Sequence, residues 1–316
     1  MRTAWERELI GVRVNMSSDP ETALDAAERL ARRARFNSEK VRATLTMGWA
    51  HRAAGRAEHL RDAIERASGY RRPGNIASSE LEGASALYLL LAEADLRVDA
   101  RRHAEAAVSL AKPSAELVPR PSGNWRGAAL VESVVNCATY AAALIVRSHV
   151  RINLSDKAAM TDALEALRWA DPRYVPHVHV AGVAATGVAL LESGAATPAV
   201  CERVLRISGQ AERMLDGRRV KAKTYHRLAL RVLTGIAVAL LGSVERAEAV
   251  ITRAIKDLES IGRHRDAKIF GQQLVSILAN RAAQEGRARL LARKYGGMLP
   301  PAAKRRPPDD DEPIGF

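Results

Sequence analysis

Aromatic residues are scarce in this chain, 4% of 316, and only two cysteines occur, Cys137 and Cys201. So few strand-favouring aromatics, beside abundant alanine, leucine and arginine, argue against a β-rich fold and predict an all-α one. Two cysteines far apart in sequence supply neither a disulfide framework nor a Cys-x-x-Cys zinc pair, and they suit a reduced cytoplasm. Each stands in an alanine- and valine-rich stretch, where cysteine acts as a small hydrophobe rather than a nucleophile.

Long hydrophobic runs are missing as well. Ser133–Val146 is uncharged but falls short of the roughly 20 apolar residues that cross a bilayer. Tyr174–Leu191 is longer, yet Pro176, His177, His179, Gly182 and Gly187 interrupt it. Both read as buried helices, and no membrane partner is expected. The opening MRTAWERELI places Glu6 and Glu8 where a secretory signal has its apolar core, so a cytoplasmic protein without such a signal is expected.

Local catalytic signatures are also absent: there is no Gly-x-x-x-x-Gly-Lys phosphate loop, no His-Glu-x-x-His and no Gly-x-Ser-x-Gly elbow. No catalytic residue and no cofactor is assigned, and a non-enzymatic protein is expected. His177 and His179 suggest a metal at first sight. Two apart on a helix they face different directions, and no carboxylate or cysteine stands nearby at ligand spacing, so no metal site is expected either.

What the chain has in excess is positive charge, +13 in all. Lys304, Arg305 and Arg306 near the end are outweighed by Asp309, Asp310, Asp311 and Glu312, so the body carries about +14. Such a surplus attracts nucleic acid, acidic proteins or anionic surfaces without specificity. It is also what an arginine- and alanine-rich composition from a GC-rich genome produces. The arginines gather in ARRAR (31–35), RVDARR (97–102), DGRRVKAKTYHR (216–227) and GRHRDAK (262–268). Arg218, Arg219, Lys221, Lys223 and Arg227, with Tyr225 among them, form the densest group and would carry a nucleic-acid-binding alternative. Base stacking wants more aromatics than this chain has, and solvated helix faces are the plainer reading.

Helix punctuation is legible. Ser18 or Asp19 before Pro20, and Thr197 before Pro198, have the form of an N-cap followed by proline at the first helical position. Asn37, Ser78, Ser155 and Ser243 are further N-cap candidates. Between these marks lie helices of roughly 12 to 20 residues joined by short turns, which suits antiparallel helix pairs.

Small residues recur with a spacing of their own. In LTGIAVALLGSVERAEAVITRAI (233–255), Gly235, Gly242, Ala247, Ile251 and Ala254 take places 8, 15, 20, 24 and 27 of a unit of about 34 residues. Gly48 and Gly55, followed by Leu60, Ile64 and Ala67, repeat that spacing; Gly187 and Gly194 repeat its first part. Second helices alone show as Ala27, Ala31, Ala34; as Ala104, Val108, Ala111; and as Ala163, Leu167, Ala170. Ala279, Gly286, Leu291 and Tyr295 mark a last unit. The first glycine of such a unit lets two helices approach closely, and the second ends a helix in a left-handed turn.

This pattern resembles the tetratricopeptide repeat, with degenerate units: the early tryptophan is missing, and His51 and Val238 stand at the eleventh-place tyrosine. The resemblance covers most of residues 20–299 and implies a right-handed superhelical solenoid of antiparallel helix pairs. Its expected parts are N-terminal repeats over 1–115, and a long helix with C-terminal repeats over 116–299. The long helix runs from about Asn124 to Ile152, with Lys112–Asn124 as an irregular connection before it. Four of the nine residues from Pro300 to Pro308 are proline, so 300–316 reads as a disordered tail.

In that family the first helices line a concave groove that holds a peptide or helix of a partner protein. The resemblance carries this role to Arg42, Leu45, Trp49, Arg52 and Ala53; to Glu93, Leu96 and Arg97; and to Gln273, Ser276, Asn280 and Gln284. Trp49 between two arginines has the composition of a binding hot spot, and equally of a core residue. Residues 225–278 also resemble repeat regions that follow DNA-binding domains in bacterial regulators, although 1–36 contains no helix-turn-helix. A scaffold in a regulatory or assembly complex is therefore the expectation.

Overall fold

A computed structural model describes residues 4–16, 18–54, 56, 58–59, 62–63, 66, 100–117, 127–192, 197–217, 224–279 and 285–296. Among these residues regular structure is helical throughout, with no strand: α1 (Ala4–Asn15), α2 (Pro20–Arg33), α3 (Asn37–Ala54), α4 (Ala100–Leu117), α5 (Gly127–Asn153), α6 (Ala159–Trp169), α7 (Pro176–Glu192), α8 (Pro198–Gly217), α9 (Tyr225–Leu240), α10 (Val244–Ser260), α11 (His264–Ala279) and α12 (Glu285–Tyr295). None is long and apolar enough to cross a membrane. The expected cap at Ser78 and the segment 300–316 lie outside the described residues.

The expected proline starts are present. Asp19 caps α2, its carboxylate accepting the Thr22 amide at 3.0 Å and the Thr22 hydroxyl at 2.7 Å, with Pro20 in the first turn. Thr197 Oγ1 accepts the Val200 amide at 3.4 Å ahead of Pro198. Two other starts differ from expectation. Asn37 lies inside α3, and the Glu39 carboxylate reaches back to the amides of Arg35 and Phe36 at 2.7 and 3.4 Å. Ser155 takes a left-handed backbone, φ 56°, and Asp156 accepts the Ala158 amide at 2.9 Å before α6. Ser243 takes the expected N-cap position of α10, though its side chain makes no cap bond. The connection expected from Lys112 is helical as far as Leu117, with Pro113 inside α4.

The apolar packing among the described residues falls into several clusters along the chain. Trp5, Leu9 and Val12 of α1 pack on Ala23, Ala27 and Leu30 of α2, and the Trp5 indole donates to the Leu30 carbonyl at 3.1 Å. In the middle, α4 to α7 share an alanine-rich core in which Ala104, Ala107 and Ala111 meet Tyr140 and Leu144, with Ala163, Ala166 and Ala185 beneath. Buried Asp162 of α6 joins this block to α5, receiving Arg147 at 2.8 and 2.7 Å and Arg151 at 2.7 Å. Toward the C-terminus, Leu228 and Val232 of α9 pack with Ile251, Ile255 and Leu258 of α10 and with Leu274 and Leu278 of α11.

From α4 to α12 helix neighbours in sequence pack on one another, as do α1 with α2 and α2 with α3, and alternate helices touch as well: α5 meets α7, α7 meets α9, and α9 meets α11. Their seams are made of small residues. A methyl group at Gly187 would stand 2.5 Å from Leu233 Cδ2, and one at Gly235 would stand 2.5 Å from Ile251 Cγ1. In the last pair Gly271 is crossed by Tyr295; Gly286 lies exposed inside α12. Gly242 turns out of α9 at φ 96°, the left-handed geometry that favours glycine. Gly55 and Gly194 lie outside the described residues.

The N-terminal helices return to the far end of the chain. α3 packs on α11, Pro20 stands over Gly262, and Arg56 pairs with Glu21 at 2.8 Å.

Candidate functional site

α3 carries five of the expected groove residues, and its surroundings decide what each can do. Leu45 and Ala53, expected to face a groove, are core at 1% exposure. Trp49 is half-buried against the α4–α7 core, with the Arg52 guanidinium over its ring at 5.6 Å. Arg42 is drawn to Glu6 of α1 at 3.2 Å. This face of α3 thus lies largely within the protein. On α11, Gln273 is half-buried with its Oε1 enclosed and without a partner, while Ser276 is exposed. Glu93, Leu96, Arg97, Asn280 and Gln284 lie outside the described residues.

The opposite face of α3 turns toward α2. Thr44, Met47 and His51, spaced three and four apart, line a cleft of about 350 Å³ together with Glu28, Ala31 and Arg32 of α2 and with His59, Asp62, Ala63 and Arg66. The His51 and His59 rings lie 5.1 Å apart with planes tilted 32°. Burial first, then the positive groups His59, Arg56 and Arg66, push the His51 imidazole down to about 4, with Asp62 opposing. His51 is therefore neutral near pH 7. Sequence reasoning took His51 only as the residue that replaces a tyrosine; the recurrence of histidine eight residues on was the available signal.

Of the basic group proposed for nucleic acid, Arg218, Arg219, Lys221 and Lys223 lie outside the described residues. Arg227 is buried in α9 and pairs with Asp216 of α8. Arg263, part of GRHRDAK, is also buried, bonded to Asp266 at 2.7 Å and stacked over Tyr225 at 4.1 Å. The reading of these two arginines as a solvated face is corrected: each has an acidic partner that draws it inside.

His177 and His179 diverge on α7 as helical geometry requires. His179 Nδ1 meets the Ala170 carbonyl at 2.8 Å. His177 faces His226 of α9, ring centroids 5.3 Å apart, and Nδ1 of both rings is buried without a partner. Among the described residues no group of three His, Cys, Asp or Glu side chains stands at metal-binding geometry. Cys137 and Cys201 are buried, and burial pushes the Cys201 thiol up, away from a reactive thiolate. The chain matches no protein-family model and no curated protein.

Proposed function

We propose that this protein is a non-enzymatic scaffold, a tetratricopeptide-like helical repeat whose stacked helix pairs hold a segment of another protein. The observation that carries this reading is the row α5, α7, α9 and α11, in which each first helix of a pair touches the next. Small-residue seams at Gly187 and Gly235 bring these helices close to their neighbours. A row of that kind presents an extended surface, and such surfaces serve recognition. The packing of Trp49 against the core supports a partner surface on α9 and α11 rather than on α3; Leu240 there is 48% exposed and Ser276 is exposed. The burial of Arg227 and Arg263 in ion pairs supports a protein partner over the nucleic-acid alternative.

Affinity purification from native cells, run with and without nuclease, would identify the partner, and affinity for the purified partner would then be measured. Leu240→Glu and Ser276→Arg, each at an exposed position, are expected to weaken binding at least about tenfold without altering the melt. A partner retained only when nucleic acid is intact, or an affinity unchanged by both substitutions, overturns the reading.

A further inference from the structure

The cleft between α2 and α3 takes no part in the row of first helices. At about 350 Å³ it has the size at which small-molecule pockets begin. Ala31, Met47 and Ala63 give it apolar wall, while Arg32, His59 and Arg66 stand exposed around it. One buried polar group in the lining lacks a partner: His51 is 7% exposed, and its Nδ1 is enclosed without a hydrogen bond. Such a nitrogen is a group that a bound molecule can satisfy. The charge felt there is positive on balance. After burial, what pushes the His51 imidazole down is His59, then Arg56 and Arg66, with Asp62 the weaker opposing group. Two carboxylates limit that surplus: Asp62, and Glu28 through its contact with Arg32 at 3.8 Å. The wall therefore favours one negative charge, and a dianion would meet both carboxylates with too few cations to offset it.

We propose that this cleft binds a small organic acid, its single carboxylate against Arg66 and the His51 imidazole and its short apolar body on Ala31, Met47 and Ala63. A guanidinium fork matches a carboxylate in geometry, and the bond is charge-assisted. A neutral imidazole donates one N–H, which suits the second carboxylate oxygen. The apolar wall sets the chemical class further, because it rewards a hydrocarbon body over a bare inorganic anion.

The test uses the full chain and three probes, butyrate, benzoate and methyl phosphate, at constant ionic strength in chloride. Ligand-observed NMR titration is expected to show saturable binding of the two carboxylates, one per chain, and weaker binding of methyl phosphate. Arg66→Gln, at an exposed position, should weaken carboxylate binding at least about tenfold. Asp62→Asn removes an opposing charge and should tighten it about twofold. A disturbance of the fold would not move these two variants in opposite directions. Arg253→Gln, exposed on α10 and outside the lining, is the control and should bind as the parent does. Absence of saturable binding by both carboxylates, affinity unchanged in Arg66→Gln, affinity lowered in Asp62→Asn, or tighter binding of methyl phosphate overturns the proposal. His51→Gln should weaken binding too, and the Arg66 and Asp62 variants decide the matter if that buried variant fails to fold.

Discussion

Gly235 of α9 lies so close to Ile251 of α10 that a methyl group added to it would stand 2.5 Å from Cγ1, 3.0 Å from Cδ1 and 3.4 Å from the Ala247 carbonyl. Cγ1 is a branch near the backbone rather than a free side-chain end, so the seam itself must widen. Gly235→Ala gains up to about 1 kcal/mol of helix propensity but overpacks the contact, and a net loss of about 1–2 kcal/mol is expected; Gly235→Leu should lose several. Gly11, exposed on α1 with nothing within 4 Å of an added Cβ, is the control and should accept alanine with a small gain. Urea melts of the three variants check this, and an Ile251→Ala background should abolish most of the Gly235→Ala penalty, as coupling through one contact requires.

Trp49 supports a second expectation. Because its ring packs on the α4–α7 core with Arg52 over it, Trp49→Ala should destabilise the protein by about 2–4 kcal/mol, toward the lower part of the range for buried aromatic truncations. A hot spot held out for a partner would leave the melt unchanged. Equal melting temperatures for Trp49→Ala and the parent would return this residue to the binding surface.

Some of this structure is legible in sequence, and some depends on contacts that sequence does not display. Asp19–Pro20 and Thr197–Pro198 announce their helix starts because cap and proline are adjacent. Gly235 and Gly242 reveal a seam and a turn because few other residues fit either place. Spacing alone did not single out Gly271 as the residue under Tyr295. Pro113 reads as a break, yet α4 runs through it. The covered face of α3 was hidden for another reason: what covers Trp49 comes from helices beginning fifty residues later. Arg227 looked solvated because its partner, Asp216, sits on another helix.

Asp162 should be the costliest carboxylate to remove among the described ion pairs. It is 3% exposed and receives both Arg147 and Arg151. Asp162→Ala leaves two guanidinium groups half-buried without their acceptor, and a loss of about 3–5 kcal/mol is expected. Glu116, paired with Lys112 on the open face of α4 with both side chains about half exposed, is the comparison, and Glu116→Ala should leave the urea midpoint where it was.

Acid should act first on the buried imidazoles. Burial, then His177 and Arg263, pushes His226 down to about 3; burial leads again in holding His51 to about 4; and burial alone lowers His177. A histidine whose folded pKa is depressed binds its proton more tightly when unfolded. The stability it contributes is fully present above the unfolded value near 6.5 and is lost as pH falls toward the folded value. Each such group gives a slope of up to about 1.4 kcal/mol per pH unit. Between pH 7 and 5, where ordinary carboxylates stay ionised, the protein should lose about 2–4 kcal/mol. The charges that develop there are like ones, since His226 faces His177 and lies near Arg263, while His51 faces His59 near Arg56 and Arg66, with Asp62 the opposing group. Urea midpoints across this window measure the loss. His226→Gln and His51→Gln, each compared with the parent, should lower stability at pH 7 but flatten the slope, because the group that titrates is gone. A parent midpoint that holds constant from pH 7 to 5 would mean that these rings are protonated as readily in the folded protein as in water, and that α7 and α9 do not enclose the pair they bring together.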